Sequence, residues 1–481
     1  MLTKMYFRLI INTDQTTTHT TKQNKYKEVK MEKRNVQKAM PMIMFAFVLA
    51  GSLQEAFNVC APIITKDFGI TSSEVSLISA VAMLTMGVAY VVYTALSDFM
   101  SIKKLLIVGI FISAIGSVGG VLFSNSFLAV VVFRAIQMAG GTCSSALLIL
   151  TASKYLEEHI RMKYYGFNTA CFSGGQLLGI LLGGIFATYI GWRYLFVVPA
   201  FSLISIPFIL KYLPEDSKDE KTKIDFLGIF LMALLALLIS LYFNVMDVRL
   251  LIASAATAVI FLVYISKYEH AFITIDFFKN WKYMLVILVV LITYSTQGSY
   301  SFLFSFMASN VHGIEPSRIS MILLPSYVVS MAIGIMGSKI TQKIGVTKTL
   351  ITALGSMAAG LLLGTFFLDK SIVLLVVMAC LFNGGFSILY TPIMTLVINS
   401  LPEKMRGTGL GFFNLCIKIT SSTGIVITGK LLTVKALQEH AVVKSMAAAG
   451  SIYSNILLIF LVVVVLSFVT VNIAKKFLIT K

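Results

Sequence analysis

MIMFAFVLAGSLQEAFNVCAPII, residues 42–64, carries one ionisable side chain, Glu55. A hydrocarbon core about 30 Å thick is crossed by roughly 20 apolar residues at the 1.5 Å rise of an α-helix. The stretch reads as a membrane-spanning helix with a single acid inside it. Thirteen more apolar stretches follow, at 75–96, 105–123, 127–150, 166–190, 194–210, 226–243, 250–266, 283–308, 319–338, 349–368, 372–397, 407–429 and 452–473. At 57% hydrophobic and 12% charged residues, the chain has too much apolar surface for one water-soluble core. The fold class is therefore all-α integral membrane with fourteen spans. A β-barrel is excluded, because barrel strands alternate polar and apolar residues and these runs are apolar throughout.

The net charge of +18 follows this ladder. Of 39 Lys and Arg residues, 29 fall on the amino-terminal side, 8 on the opposite side and 2 inside spans. The positive-inside rule then places both termini in the cytoplasm. The excess is a topology signal and not a nucleic-acid footprint. All five cysteines fall in spans and read as small packing residues. All five histidines fall in the tail or loops, and no cluster has metal-ligand spacing. Residues 1–39 read as a disordered polar cytoplasmic tail. Within it Met31-Glu32-Lys33-Arg34 looks like an internal start, which would make 1–30 an upstream, non-native extension.

An internal repeat organises the spans. Gly140-Gly141 recurs as Gly384-Gly385. Leu156, Glu158, Arg161, Gly166, Gly179 and Gly184 recur 245 residues later as Leu401, Glu403, Arg406, Gly411, Gly424 and Gly429. The loop Leu96–Lys104 is echoed by Ile340–Lys348. The expected organisation is a six-helix half at 40–210, a linker and two inserted helices at 211–282, and a second six-helix half at 283–481. Repeated halves favour a transporter, with its site near the midplane between them, over a channel.

Three motifs carry a family likeness. Thr94-Ala-Leu-Ser-Asp98-Phe-Met-Ser101-Ile-Lys103-Lys104 resembles the cytoplasmic loop signature of the major facilitator superfamily, with Thr94 and Ser101 in place of two glycines. Arg134-Ala-Ile-Gln137-Met-Ala-Gly140 resembles its second signature. Gly175-Gln176-Leu-Leu-Gly179-Ile180-Leu-Leu-Gly183-Gly184 is similar to the glycine-rich signature of its antiporters, with Ile180 where the family has proline. Spacing by four sets Gly175, Gly179 and Gly183 on one helix face for close packing. From about residue 31 onward the chain resembles the fourteen-helix tetracycline and multidrug efflux proteins of Gram-positive bacteria. That resemblance implies a major facilitator fold of 6 + 2 + 6 helices in the bacterial cytoplasmic membrane. It also implies export of amphiphilic drugs driven by proton entry, with tetracycline leaving as a metal chelate in the specialised members. Asp98, Lys103, Lys104 and Arg161 would form the cytoplasmic gate.

Glu55 is the one acid of twenty-one that falls inside a span. A carboxyl group in a low-dielectric cavity can hold a proton near neutral pH, and its ionisation changes the cavity's charge. Glu55 lies about 20 Å into the first span, at a depth close to that of Arg134 in the fourth. The two are expected to meet across the central cavity. In the tetracycline pumps an acid precedes the first-span asparagine by four positions. Here Glu55 precedes Asn58 by three and Gln54 holds the acidic position, while Gln176 and Ser421 stand where those pumps have glutamates. Lys418, deep in the thirteenth span, fits three roles: accepting a proton, contacting an anionic or zwitterionic cargo, or packing on backbone carbonyls. The expected substrate cavity is Gln54, Asn58, Gln137, Gln176, Gln297, Tyr327, Asn414 and Lys418, with Asn168, Tyr294, Tyr300, Asn383 and Tyr390 as further polar candidates.

No phosphate-binding loop is present, so the expected energy source is the proton gradient with no cofactor. The expected partners are a small amphiphilic drug, protons and the lipid bilayer around a monomer. Alternatives on the same scaffold are export of quaternary ammonium compounds or fatty acids, import, and monovalent cation/proton exchange. A membrane enzyme or sensor is disfavoured, because no paired carboxylates, Ser/His pair or metal cluster lies in the spans.

Overall fold

The computed structural model describes residues 2–97, 100–215, 225–268, 271, 278–402, 406–443 and 450–478. All fourteen expected spans are helices: Asn35–Phe68, Ser72–Leu96, Ile102–Leu122, Phe127–Tyr155, Gly166–Ile190, Trp192–Tyr212, Phe226–Val245, Val248–Lys267, Trp281–His312, Pro316–Ile344, Val346–Phe367, Ile372–Ser400, Gly409–Leu431 and Ser451–Ile473, numbered here as spans 1 to 14. Short polar breaks end them for local reasons. Thr71 and Glu74 form a reciprocal capping box at the start of span 2. Ser101 caps span 3 by accepting from the Lys104 N–H. Gly191, at φ 113°, makes the turn between spans 5 and 6 that a side chain would resist. Span 9 is interrupted at Ser295–Thr296, which separates helix Trp281–Tyr294 from Gln297–His312.

Span 1 begins at Asn35, and the expected disordered tail and internal start lie outside the residues described with side chains.

The repeat is legible in atomic contacts. A Cβ on Gly179 would meet the Ser52 carbonyl at 2.0 Å, and one on Gly424 would meet the Ser295 carbonyl at the same distance. Gly184 packs against Ser320 and the Pro316 carbonyl, and Gly429 against Ser76 and the Ser72 carbonyl. Gly140 approaches Gly109 O and Ser113 N, while Gly385 approaches Ala353 O and Met357 N. Each pair of contacts recurs 243 to 245 residues apart, so the two six-helix bundles share one packing plan.

The bundles meet along two seams, span 2 on span 13 and span 5 on span 10. Span 7 docks beside the first seam, where the Asn244 amide donates to the Ser73 carbonyl at 2.7 Å. Span 8 packs on span 7, and the Tyr264 hydroxyl donates to Asp225, which caps span 7. Its other faces, including Ile252, Val259 and Ile260, stay exposed as lipid-facing apolar surface.

Candidate functional site

Span 1 delivers Glu55 to the space between the bundles. The side chain is buried, and the Asn58 and Gln176 amides donate to its two oxygens at 3.4 Å each. The Tyr327 and Ser301 hydroxyls, 2.7 Å apart, reach it from the second bundle. Asn58 is held in turn by the Ser79 hydroxyl, which donates to its Oδ1 at 2.7 Å. A buried carboxylate is tolerated only where donors or a countercharge replace water. Here both bundles supply the donors, through long bonds that leave the group free to change partners. Gln176 serves as a donor to Glu55.

Among the described residues no hydrogen bond or ion pair joins Glu55 and Arg134, which were expected to meet. The Arg134 guanidinium lies over the Phe57 ring at 4.9 Å and donates to Gln137 Oε1 at 2.9 Å. Gln137 donates onward to Ser117 Oγ and the Phe196 carbonyl. Among the described residues no ion pair links Arg134 to an acid. The reason is azimuth: Phe57 follows Glu55 by two residues, roughly 200° around the helix. Glu55 therefore leaves span 1 toward the second bundle and Phe57 toward span 4.

A cavity of about 190 Å³ opens between the bundles, lined by spans 1, 2, 4 and 5 on one side and 9, 10, 12 and 13 on the other. Glu55, Gln176, Gln297, Tyr327, Asn414 and Lys418 line it, as do Asn168, Tyr294, Asn383 and Tyr390. Four expected residues do not. Gln54 is buried off the cavity with neither amide atom hydrogen-bonded. Asn58 is taken up by Ser79 and Glu55, and Gln137 by Arg134 and Ser117. Tyr300 stacks on Phe382 at 4.0 Å. Sequence reasoning missed the aromatic wall of Phe47, Tyr90, Phe172 and Phe386, and the hydroxyls of Ser145, Ser173, Ser330 and Ser387. A signal existed on span 5, where Asn168, Phe172 and Gln176 recur every four residues and so share one face.

Lys418 projects from span 13 into this space. Its ammonium lies 5.3 Å from the centre of the Phe172 ring, and Glu55 is the charge that acts on it. It takes the ionic position opposite Glu55 that Arg134 was expected to hold.

One face of the cavity is closed by hydrogen bonds between the bundles. Ser72 donates to the Gly429 carbonyl, Ser422 to Ala80 O, Ser320 to Ile180 O, and the Ser317 N–H to Thr188 Oγ1. All lie toward the ends where spans 2 and 10 begin. Phe47, Ile149, Asn168 and Thr391 carry the cavity the other way, toward the face where span 1 enters. On that face Asp98 lies outside the described residues. Lys103 and Lys104 open span 3, Lys104 pairs with Glu215 at 3.3 Å, and Arg161 donates to the Leu156 carbonyl.

Gly175, Gly179 and Gly183 press span 5 against the Val48, Ser52 and Ala56 carbonyls of span 1, a matched row on each helix. Gly184 faces span 10 instead. The stripe thus fixes span 5 beside span 1, and with it Gln176 beside Glu55.

Two pseudo-symmetric helical bundles around a shared polar cavity define a membrane transporter. The chain belongs to the Major Facilitator Superfamily, whose pattern its residues 43–425 match. It is 24% identical over 419 residues to the riboflavin transporter RibZ of Clostridioides difficile (strain 630), covering 86% of this chain and 91% of that one. It is 23% identical over 387 residues to the multidrug resistance protein Stp of Mycobacterium tuberculosis (strain CDC 1551 / Oshkosh), covering 78% and 72%. Among solved structures the POT family transporter PepTSo superposes with a TM-score of 0.70 at 12% identity, over 91% of this chain and 97% of that one. The protein is a multi-pass membrane transporter with multidrug resistance proteins among its relatives.

Proposed function

We propose that the protein exports tetracycline or similar drug-sized amphiphiles from the bacterial cytoplasm in exchange for protons. The observation that carries this reading is Glu55, an acid held by donors from both bundles inside the shared cavity. Cargo entering that space meets the carboxylate, and a proton and a cargo amine compete for it. The 29 basic residues on the amino-terminal side support an orientation with both termini in the cytoplasm. The cavity then faces inward and the four inter-bundle hydrogen bonds close the outer side. In this reading the halves at 40–210 and 283–481 rock against each other while 211–282 rides on the first seam. Asp98, Lys103, Lys104 and Arg161 gate the cytoplasmic side, and the working unit is a monomer without a cofactor. A tetracycline cargo would leave as its metal chelate.

A second reading, uptake of a flavin-like ring compound, is favoured by the RibZ relative, which is matched over nearly its whole length. Everted membrane vesicles separate the two. Energised vesicles accumulate an exported drug, and a protonophore collapses the accumulation. Accumulation of riboflavin in right-side-out vesicles, with no drug uptake in everted ones, rejects export.

A further inference from the structure

Within the export reading just given, we infer that the cavity selects zwitterionic amphiphiles: a planar ring system whose amine takes Glu55 and whose anionic group takes Lys418. Among the described lining residues these two carry the charge, one from each bundle. Both sit beside span 5. Gln176 donates to Glu55, and Phe172, one turn earlier, lies under the Lys418 ammonium. Four residues of helix set these stations about 6 Å apart. The rings of Tyr90, Phe386 and Tyr390 line the same cavity, suited to a flat apolar body.

Lys418 is built to hold this position. A Cβ on Gly87 would fall 2.7 Å from the Lys418 Cβ, so span 2 closes on the base of its stem and directs the head into the cavity. Among the described residues no hydrogen bond to its ammonium is found, which leaves the charge for a ligand. Arg134 cannot substitute, because its guanidinium is turned to Phe57 and Gln137.

Charge arithmetic then sets the coupling. With Glu55 ionised the pair is neutral overall, and a zwitterion matches both ends. A proton on Glu55 removes the acid, leaves the Lys418 charge alone and expels the amine, as exchange requires. The other groups facing Glu55 are the neutral donors Asn58, Gln176, Ser301 and Tyr327. A purely anionic cargo would bind best beside protonated Glu55 and would travel with the proton, not against it. A permanent cation would satisfy Glu55 but meet Lys418 as a like charge.

Three matched probes test this on the purified full-length protein, with binding read by quinolone fluorescence. They are a zwitterionic piperazinyl quinolone, its cationic methyl ester and its anionic N-acyl derivative. The wild type is expected to bind the zwitterion at least tenfold more tightly than either derivative. Lys418→Met should bind zwitterion and ester alike, Lys418→Arg should restore the preference, and Glu55→Gln should bind zwitterion and N-acyl form alike. Thermal unfolding of each variant checks that it is folded. A wild type that binds the ester as tightly as the zwitterion overturns the inference, as does a Lys418→Met protein whose preference is unchanged. Charge selectivity without proton-driven transport in vesicles would reject the export reading and leave the charge match standing. Transport without charge selectivity would do the reverse, and binding of no probe overturns the charge match while vesicle transport still decides the export reading.

Discussion

Replacing Gly179 by alanine tests the packing that sets Gln176 beside Glu55. The added Cβ would sit 2.0 Å from the Ser52 carbonyl oxygen and 2.8 Å from its carbon, against 3.4–4 Å for ordinary contact. The obstacle is backbone, so no side chain can swing aside, and spans 1 and 5 must part by more than an ångström. Overpacking of this kind costs about 1–3 kcal/mol, and a backbone obstacle belongs at the upper end. Alanine recovers roughly 0.5–1 kcal/mol as a better helix former than glycine. The net expectation is a loss of about 2 kcal/mol, a lowering of the unfolding midpoint on the order of 2 °C for a chain of this length. Cys60, Cys143, Cys171 and Cys416 are buried, so a thiol-reactive dye reports unfolding directly. Gly424→Ala should behave alike, because its Cβ would meet the Ser295 carbonyl at 2.0 Å. Gly174→Ala is the control: nothing lies within 4 Å of its Cβ, and its midpoint should hold or rise. A Gly179→Ala protein as stable as the Gly174→Ala protein would refute the reasoning.

Three further outcomes are expected. Arg134→Met should lose about 1–3 kcal/mol of stability by stranding Gln137 Oε1, yet keep drug-induced proton movement; loss of that movement in a folded variant would return Arg134 to the coupling machinery. A cysteine pair at Thr188 and Ser317, which are hydrogen-bonded across the second seam, should stop transport when oxidised and recover on reduction; transport through the oxidised pair would mean this seam does not open. Lys104→Ala should change thermal stability by well under about 1 kcal/mol, because its pair with Glu215 is more than half exposed on both sides; a large drop would expose a role that the geometry does not explain.

The membrane architecture was legible because bilayer thickness forces a length and a hydrophobicity on every span, and fourteen runs meet both. The repeat was legible because close helix contacts admit only glycine, so Gly179 and Gly424 mark the same contact in each bundle. The direction in which Glu55 leaves its helix was not legible, since a helix that is apolar all round hides which face meets which neighbour. That is why Arg134 and Gln137 belong to the span 4 packing, and why Gln54 lies off the cavity one residue before Glu55. The aromatic wall was hidden for a similar reason. Phe172 and Phe386 look in sequence like any lipid-facing phenylalanine, and only the polar residues at helical spacing beside them mark their face.

The most direct test of the account is drug-induced proton movement in proteoliposomes, comparing wild type with Glu55→Gln. The account predicts proton movement on drug addition for the wild type, and none for a variant that still binds drug and unfolds at a similar temperature. A Glu55→Gln protein that still exchanges protons for drug at the wild-type rate would contradict it.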